Sequence, residues 1–107
     1  MSFEDIPVNK DLTYIGKASF RDKDVLFGVK RRDRRQHIYV LGKSGTGKSV
    51  LLQNMIVQNI KNGDGVAVVD PHGELVEGIL QSIPESRMND VVYFNPADTD
   101  YHIGFNV

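Results

Sequence analysis

The chain has no cysteine, few prolines and no long apolar run. Without cysteine among its 107 residues, it has neither disulfides nor thiolate metal ligands, which agrees with a reducing compartment. No apolar stretch approaches the roughly 20 residues that cross a bilayer, and residues 1–5 lack the basic-then-apolar order of a signal peptide. We therefore expect a cytoplasmic location and no membrane contact from this segment. Any membrane association would come from regions outside this chain.

The charges are distributed unevenly, although the net charge is only −1. Residues 1–48 hold eleven Lys and Arg against six Asp and Glu, whereas residues 49–107 hold two against eight. Apart from this asymmetry, the composition is typical of one small folded domain. A basic first half favours contact with nucleic acid, nucleotide phosphates or a neighbouring subunit. The alternative is that the two halves attract each other.

A glycine-rich octapeptide at residues 42–49 reads Gly-Lys-Ser-Gly-Thr-Gly-Lys-Ser and matches the phosphate-loop pattern. Its glycines let the backbone take positive φ values and turn successive N–H groups towards an anion. We expect Lys48, as the catalytic residue, to place its ammonium on the β and γ phosphates, and Ser49 to ligate Mg²⁺. The predicted nucleotide-binding residues are Gly42, Lys43, Ser44, Gly45, Thr46, Gly47, Lys48, Ser49 and Val50.

The segments on both sides of the octapeptide have the order that a phosphate loop requires. Residues 37–41 form an apolar run typical of a buried parallel strand. Residues 50–61 carry apolar side chains at helical spacing, with Asn59 on another side of the predicted helix. Asn-Gly at 62–63 ends this helix. A surface turn rich in glycine and serine would predict neither flank. The helix would also offer the phosphates its free N–H groups and the positive end of its dipole.

The rest of the chain predicts an α/β fold preceded by a short β-hairpin. Residues 65–70 and 91–94 have the character of buried strands, and residues 74–83 that of a short helix between them. This alternation indicates parallel βαβ units. Residues 12–17 and 25–30 could pair as an antiparallel hairpin. Five cations within residues 30–35 form either a solvated connection or a basic rim near the nucleotide or along a DNA track.

Asp70, at the end of the second predicted strand, has three interpretations. It could be the magnesium acid of a phosphate-loop enzyme, or act indirectly near the γ phosphate. It could also form the turn and cap the helix that begins at Glu74. The three histidines do not have the spacing of metal ligands, so we predict no further metal site.

Together these residues resemble the HerA/FtsK-type DNA-pumping ATPases, especially the TraG/TraD-like coupling ATPases of type IV secretion and conjugation. The resemblance rests on residues 37–49, on Gly-Val-Ala-Val-Val-Asp-Pro-His-Gly-Glu at 65–74, and on Val-Val-Tyr-Phe-Asn-Pro at 91–96. It implies a RecA-like P-loop NTPase domain of mainly parallel strands with flanking helices. It further implies ATP and Mg²⁺ as cofactors, a homo-hexameric ring, and DNA bound without sequence specificity.

The resemblance also implies that the catalytic core is incomplete here. Residues 70–74 match an acidic turn of the family that is distinct from its principal magnesium acid, which leaves Asp70 a turn-forming and at most indirect role. That principal acid lies later in the chains of the family, and no hydrophobic-Asp-Glu segment follows here. We therefore divide the chain into an N-terminal segment, 1–36, and the N-terminal half of a P-loop ATPase core, 37–107. Hydrolysis by this piece alone should be weak or absent.

Two functions are alternatives to an ATP-driven DNA translocase. One is a kinase-like or GTPase-like enzyme with Asp70 as its magnesium acid, although the chain has no Asn-Lys-x-Asp motif for guanine. The other is a module that binds nucleotide without hydrolysing it and works through partner contacts.

Overall fold

The computed structural model of the protein describes residues 6–43, 45 and 47–97. It begins with an antiparallel hairpin and continues with helical elements. In chain order these are β1 (Leu12–Phe20), β2 (Lys23–Lys30), a first 3₁₀ helix (Arg31–Arg35), α1 (Lys48–Lys61), α2 (Glu74–Leu80) and a second 3₁₀ helix (Glu85–Asp90). The predicted hairpin and both predicted helices are confirmed, and the arrangement is a small α/β fold.

The hairpin is closed by a two-residue turn and distorted by one bulge. Arg21 and Asp22 have φ values of 50° and 61°, the left-handed backbone of the turn whose twist matches that of paired strands. The pairing register shifts between Tyr14 and Gly16, so the intervening residue forms a bulge in β1. Gly28 lies opposite this bulge, where a Cβ would overlap the carbonyl oxygen of Thr13. The close approach of the two strands therefore requires glycine at this position.

Helix α1 is the element against which the hairpin and α2 pack. Its Val57 is only 1% exposed, and within the described ranges Ile6 and Ile79 are the other buried apolar side chains. On β1, Thr13 is 2% exposed, so the contact between β1 and α1 includes a buried polar side chain. No helix within the described ranges is long and apolar enough to cross a membrane.

The three parallel strands predicted at residues 37–41, 65–70 and 91–94 are not formed in the described part of the chain. The sheet there has only the two hairpin strands, and no backbone–backbone hydrogen bond joins any two of the three segments. Their side chains are correspondingly exposed, 79% for Leu41, 95% for Val69 and 86% for Val92. An apolar run predicts a strand only where a neighbouring strand can pair with its backbone. The predicted mainly parallel sheet is therefore not confirmed for these segments, and it stays a prediction.

Candidate functional site

The octapeptide reaches α1 through two glycines with left-handed backbone. Gly45 has φ +82° and Gly47 has φ +87°, and Gly47 directly precedes the first residue of α1. A Cβ at either position would meet nothing within 4 Å, so backbone conformation and not lack of space calls for glycine. The predicted binding residues Ser44 and Thr46 lie outside the described residues. Two of the three glycines of the octapeptide, Gly45 and Gly47, therefore have the positive φ expected of this loop, and the binding role of the loop stays a prediction.

The first turn of α1 offers backbone N–H groups to a ligand. No side chain among the described residues caps this end, and the first helical hydrogen bond runs from the Leu51 N–H to the carbonyl oxygen of Gly47. The N–H groups of Lys48, Ser49 and Val50 bind no acceptor in residues 6–43, 45 or 47–97. Unpaired N–H groups at the positive end of a helix dipole attract an anion such as a phosphate.

Two polar side chains lie beside these N–H groups. The Lys48 ammonium donates a hydrogen bond of 3.1 Å to the carbonyl oxygen of Gly42, so the Lys48 side chain reaches back to the first residue of the loop. The next residue, Ser49, is exposed, and its hydroxyl bonds to no other described residue. The loop therefore brings together one cation, one available hydroxyl oxygen and a set of N–H donors. These groups fit the phosphates and metal ion of a nucleotide.

The other end of α1 is fixed to β1 by the amide of Gln58. This side chain accepts a hydrogen bond of 2.8 Å from the Tyr14 N–H and donates one of 2.7 Å to the Tyr14 carbonyl oxygen. The amide thus pairs with β1 at its bulge, as a neighbouring strand would. Gln58 is 7% exposed and also donates to the side-chain oxygen of Asn54 at 3.2 Å. The hairpin and the phosphate-loop helix are therefore held in one orientation.

Further side chains tie the same end of α1 to three other segments. The guanidinium of Arg34 donates to the Thr13 hydroxyl at 2.8 Å and to the Asn59 side-chain oxygen at 2.7 Å. The Asn62 amide donates to the carbonyl oxygen of Asn9 at 3.0 Å. Arg87 donates to the carbonyl oxygens of Ile60 at 3.0 Å and Asp64 at 2.8 Å, the last of which lies just beyond the helix. The helix that carries the loop is consequently anchored at its carboxyl end.

Asp70 lies away from the loop in sequence and binds the backbone of the turn that follows it. One carboxylate oxygen accepts from the His72 N–H at 3.1 Å, and the other accepts from Leu75 at 2.8 Å and Val76 at 3.3 Å. Desolvation acts to raise the pKa of this carboxyl group, but the N–H donors of the turn together lower it below its ordinary value. These contacts are those of a turn-former that caps α2.

A metal role for Asp70 receives no support from its surroundings. No group of three or more His, Asp or Glu side chains that could hold an ion occurs among the described residues. Both carboxylate oxygens are already bound to N–H groups. An indirect role near a metal stays a prediction.

The buried amides of α1 were missed by the sequence analysis. Asn59, which the helical pattern assigns to another side than the apolar residues, is only 8% exposed. Apolar spacing predicts the buried face of a helix when its neighbour is apolar, whereas the amides of Gln58 and Asn59 face polar partners, the backbone of Tyr14 and the guanidinium of Arg34. One signal was available, because amide side chains recur every four residues at Asn54, Gln58 and Asn62.

A known protein family matches most of the chain. The family model of the central domain of the helicase HerA matches residues 13–106, which is most of the chain. No curated protein and no solved structure matches the chain significantly. The matched range contains the hairpin from its second residue, the phosphate loop, both helices and the Asp70 turn.

Proposed function

Since this chain belongs to the family of the helicase HerA central domain, we propose that it is the ATP-binding segment of a ring-forming ATPase that translocates DNA. The observation that carries this proposal is the geometry of residues 42–50. Left-handed glycines, unpaired N–H groups and the Lys48 ammonium meet at the start of one helix. The alternative of a surface turn does not account for this convergence.

The residues of the loop fit a bound MgATP in specific roles. The Lys48 ammonium would exchange its bond to the Gly42 oxygen for the β and γ phosphates, which are stronger acceptors because they are charged. The N–H groups of the first turn of α1 would bind phosphate oxygens, and the Ser49 hydroxyl would hold the metal. A bound Mg²⁺ would supply charge neutralisation at the phosphates.

Hydrolysis requires groups beyond the loop. Asp70 is committed to the α2 cap, which disfavours a kinase-like or GTPase-like enzyme that uses it as the principal magnesium acid. We therefore assign the magnesium acid, the general base and the arginine finger to other segments of the motor or to neighbouring subunits. On this proposal residues 37–107 are half of a RecA-like core, with residues 37–41, 65–70 and 91–94 as its parallel strands. We propose that the ATPase acts as a coupling ATPase in conjugation or type IV secretion.

A titration of ATP and GTP with and without Mg²⁺ tests the proposal, with Ser49→Ala as the decisive variant. We expect ATP to bind more tightly when Mg²⁺ is present, and Ser49→Ala to lose this enhancement while it keeps metal-free binding. Ser86→Ala, an exposed serine in the second 3₁₀ helix, is the matched control and should behave as the wild type. Binding that is independent of Mg²⁺, or a Ser49→Ala variant that keeps the full enhancement, would contradict the assigned role.

A further inference from the structure

Four arginines lie in the first 3₁₀ helix, and their contacts separate them into two kinds. Arg31 forms an ion pair of 3.0 Å with Asp64, so its charge is compensated by a carboxylate. Arg34 is held instead by neutral groups, the Thr13 hydroxyl at 2.8 Å and the Asn59 oxygen at 2.7 Å. These two bonds fix the position of the Arg34 guanidinium, and no carboxylate of residues 6–43, 45 or 47–97 forms an ion pair with it.

The other two arginines extend from the same helix into solvent. The Arg32 side chain is 76% exposed, and its one ion pair within the described residues is with the exposed carboxylate of Asp33, at 3.8 Å. Arg35 is exposed and makes no hydrogen bond or ion pair with residues 6–43, 45 or 47–97. Exposed ion pairs at such distances contribute little, so both guanidinium groups are available to a ligand.

All four arginines line one cleft of about 590 Å³ between the first 3₁₀ helix and the end of α1. Asn59 also lines it, together with two carboxylates, Asp11 and Asp64. Four cations against two anions leave the cleft with an excess of positive charge. A cleft lined mainly by one sign of charge concentrates ligands of the opposite sign.

We propose that this basic cleft binds the phosphate backbone of DNA, an inference that rests on the DNA-translocating function proposed above. A guanidinium matches a phosphate through two parallel N–H bonds, which Arg32 and Arg35 can form without giving up a strong partner. Arg34, which lies between Arg32 and Arg35 in the sequence and lines the same cleft, adds a positive charge whose position is fixed. Because such contacts are made to phosphates and not to base edges, binding here is independent of sequence. The Arg34–Asn59 bond joins this surface to α1, the helix that begins at the phosphate loop.

The test measures the affinity of the full chain for labelled duplex DNA, by fluorescence anisotropy, between about 50 and 200 mM salt. Each neutralised phosphate steepens the dependence of log K on log salt by about 0.9, so Arg32→Ala/Arg35→Ala should flatten it by about 2. The wild type should therefore lose about tenfold more affinity than the double variant over this range.

The matched control is Arg21→Ala/Lys23→Ala, which removes two exposed cations from the end of the hairpin and should keep the wild-type salt dependence. Arg34 is left unchanged because it also holds β1 to α1. Circular dichroism and a urea midpoint equal to that of the wild type would show that the variants are folded. If both double variants weaken binding equally, attraction is diffuse and the cleft is not the site.

The remaining outcomes separate this inference from the proposed function. If Arg32→Ala/Arg35→Ala binds DNA as the wild type does, the cleft is not the DNA site, although the protein still binds DNA. If the wild type binds MgATP but no DNA, both the inference and the DNA-handling function of this segment fail. If Arg32→Ala/Arg35→Ala keeps its DNA affinity but changes self-association in sedimentation, the cleft binds the acidic surface of a second copy. That outcome also overturns the proposal.

Discussion

The bond between the Gln58 amide and the backbone of β1 makes the sharpest prediction about the fold. Gln58→Met keeps the length of the side chain but removes both the donor and the acceptor, so the Tyr14 N–H and carbonyl lose partners at 2.8 and 2.7 Å. Leaving a buried polar group unsatisfied costs about 1–3 kcal/mol. Because Tyr14 is half-buried and water can reach it in part, we expect a total loss of about 2–4 kcal/mol in the free energy of unfolding.

A loss of that size is a large fraction of the stability of a small domain, which is about 5–15 kcal/mol. Urea unfolding measures it as a lower midpoint with an unchanged slope. Gln81→Met is the control, since Gln81 is exposed, and surface changes of this kind stay within about 0.5 kcal/mol. A Gln58→Met variant that loses less than about 0.5 kcal/mol would refute the view that this amide joins the hairpin to the phosphate-loop helix.

Two further predictions concern the turn at Asp70 and the close approach at Gly28. The pKa of Asp70 is lowered in the folded chain, so its contribution to stability is present above the ordinary value of 3.8 and is lost as pH falls through the folded pKa. Urea unfolding at a series of pH values should therefore show that acid lowers the free energy of unfolding less for Asp70→Asn than for the wild type or for the control Asp22→Asn. Equal losses in the three proteins would contradict the capping role of Asp70. Gly28→Ala should destabilise by about 1–3 kcal/mol because its Cβ would overlap the Thr13 oxygen. Gly65→Ala, where a Cβ meets nothing within 4 Å, should not; similar urea midpoints for the two variants would rule out the steric explanation.

Local signals in the sequence predicted the elements that depend on local chemistry. The apolar stretches at residues 12–17 and 25–30 identified the hairpin, and the Gly-Lys-Ser pattern identified the turn into α1. These features depend on backbone conformations that glycine permits and on the period of one helix. The octapeptide and the Asp70 turn were likewise visible because each involves neighbours within a few residues.

Features that depend on distant partners could not be predicted in the same way. An apolar run such as residues 65–70 indicates that a strand is favoured, but the sequence does not say which segment supplies its backbone partners. The same limit applies to Gln58 and Arg34, whose partners lie 44 and 21 residues away. Polar residues on a helix predict solvent exposure by default, and only the position of β1 reveals why these are buried.

Residues 42–49 are the proposed site for nucleotide phosphates, on which the function of the chain depends. Calorimetric titration of MgATP into the wild type, Lys48→Ala and Lys23→Ala tests this most directly, with Lys23 an exposed lysine of β2 as the control. A charged hydrogen bond is worth about 1.5–3 kcal/mol, so Lys48→Ala should bind at least about tenfold more weakly while Lys23→Ala binds as the wild type does. A folded wild type that binds no MgATP, or a Lys48→Ala variant with undiminished affinity, would contradict a phosphate site at residues 42–49.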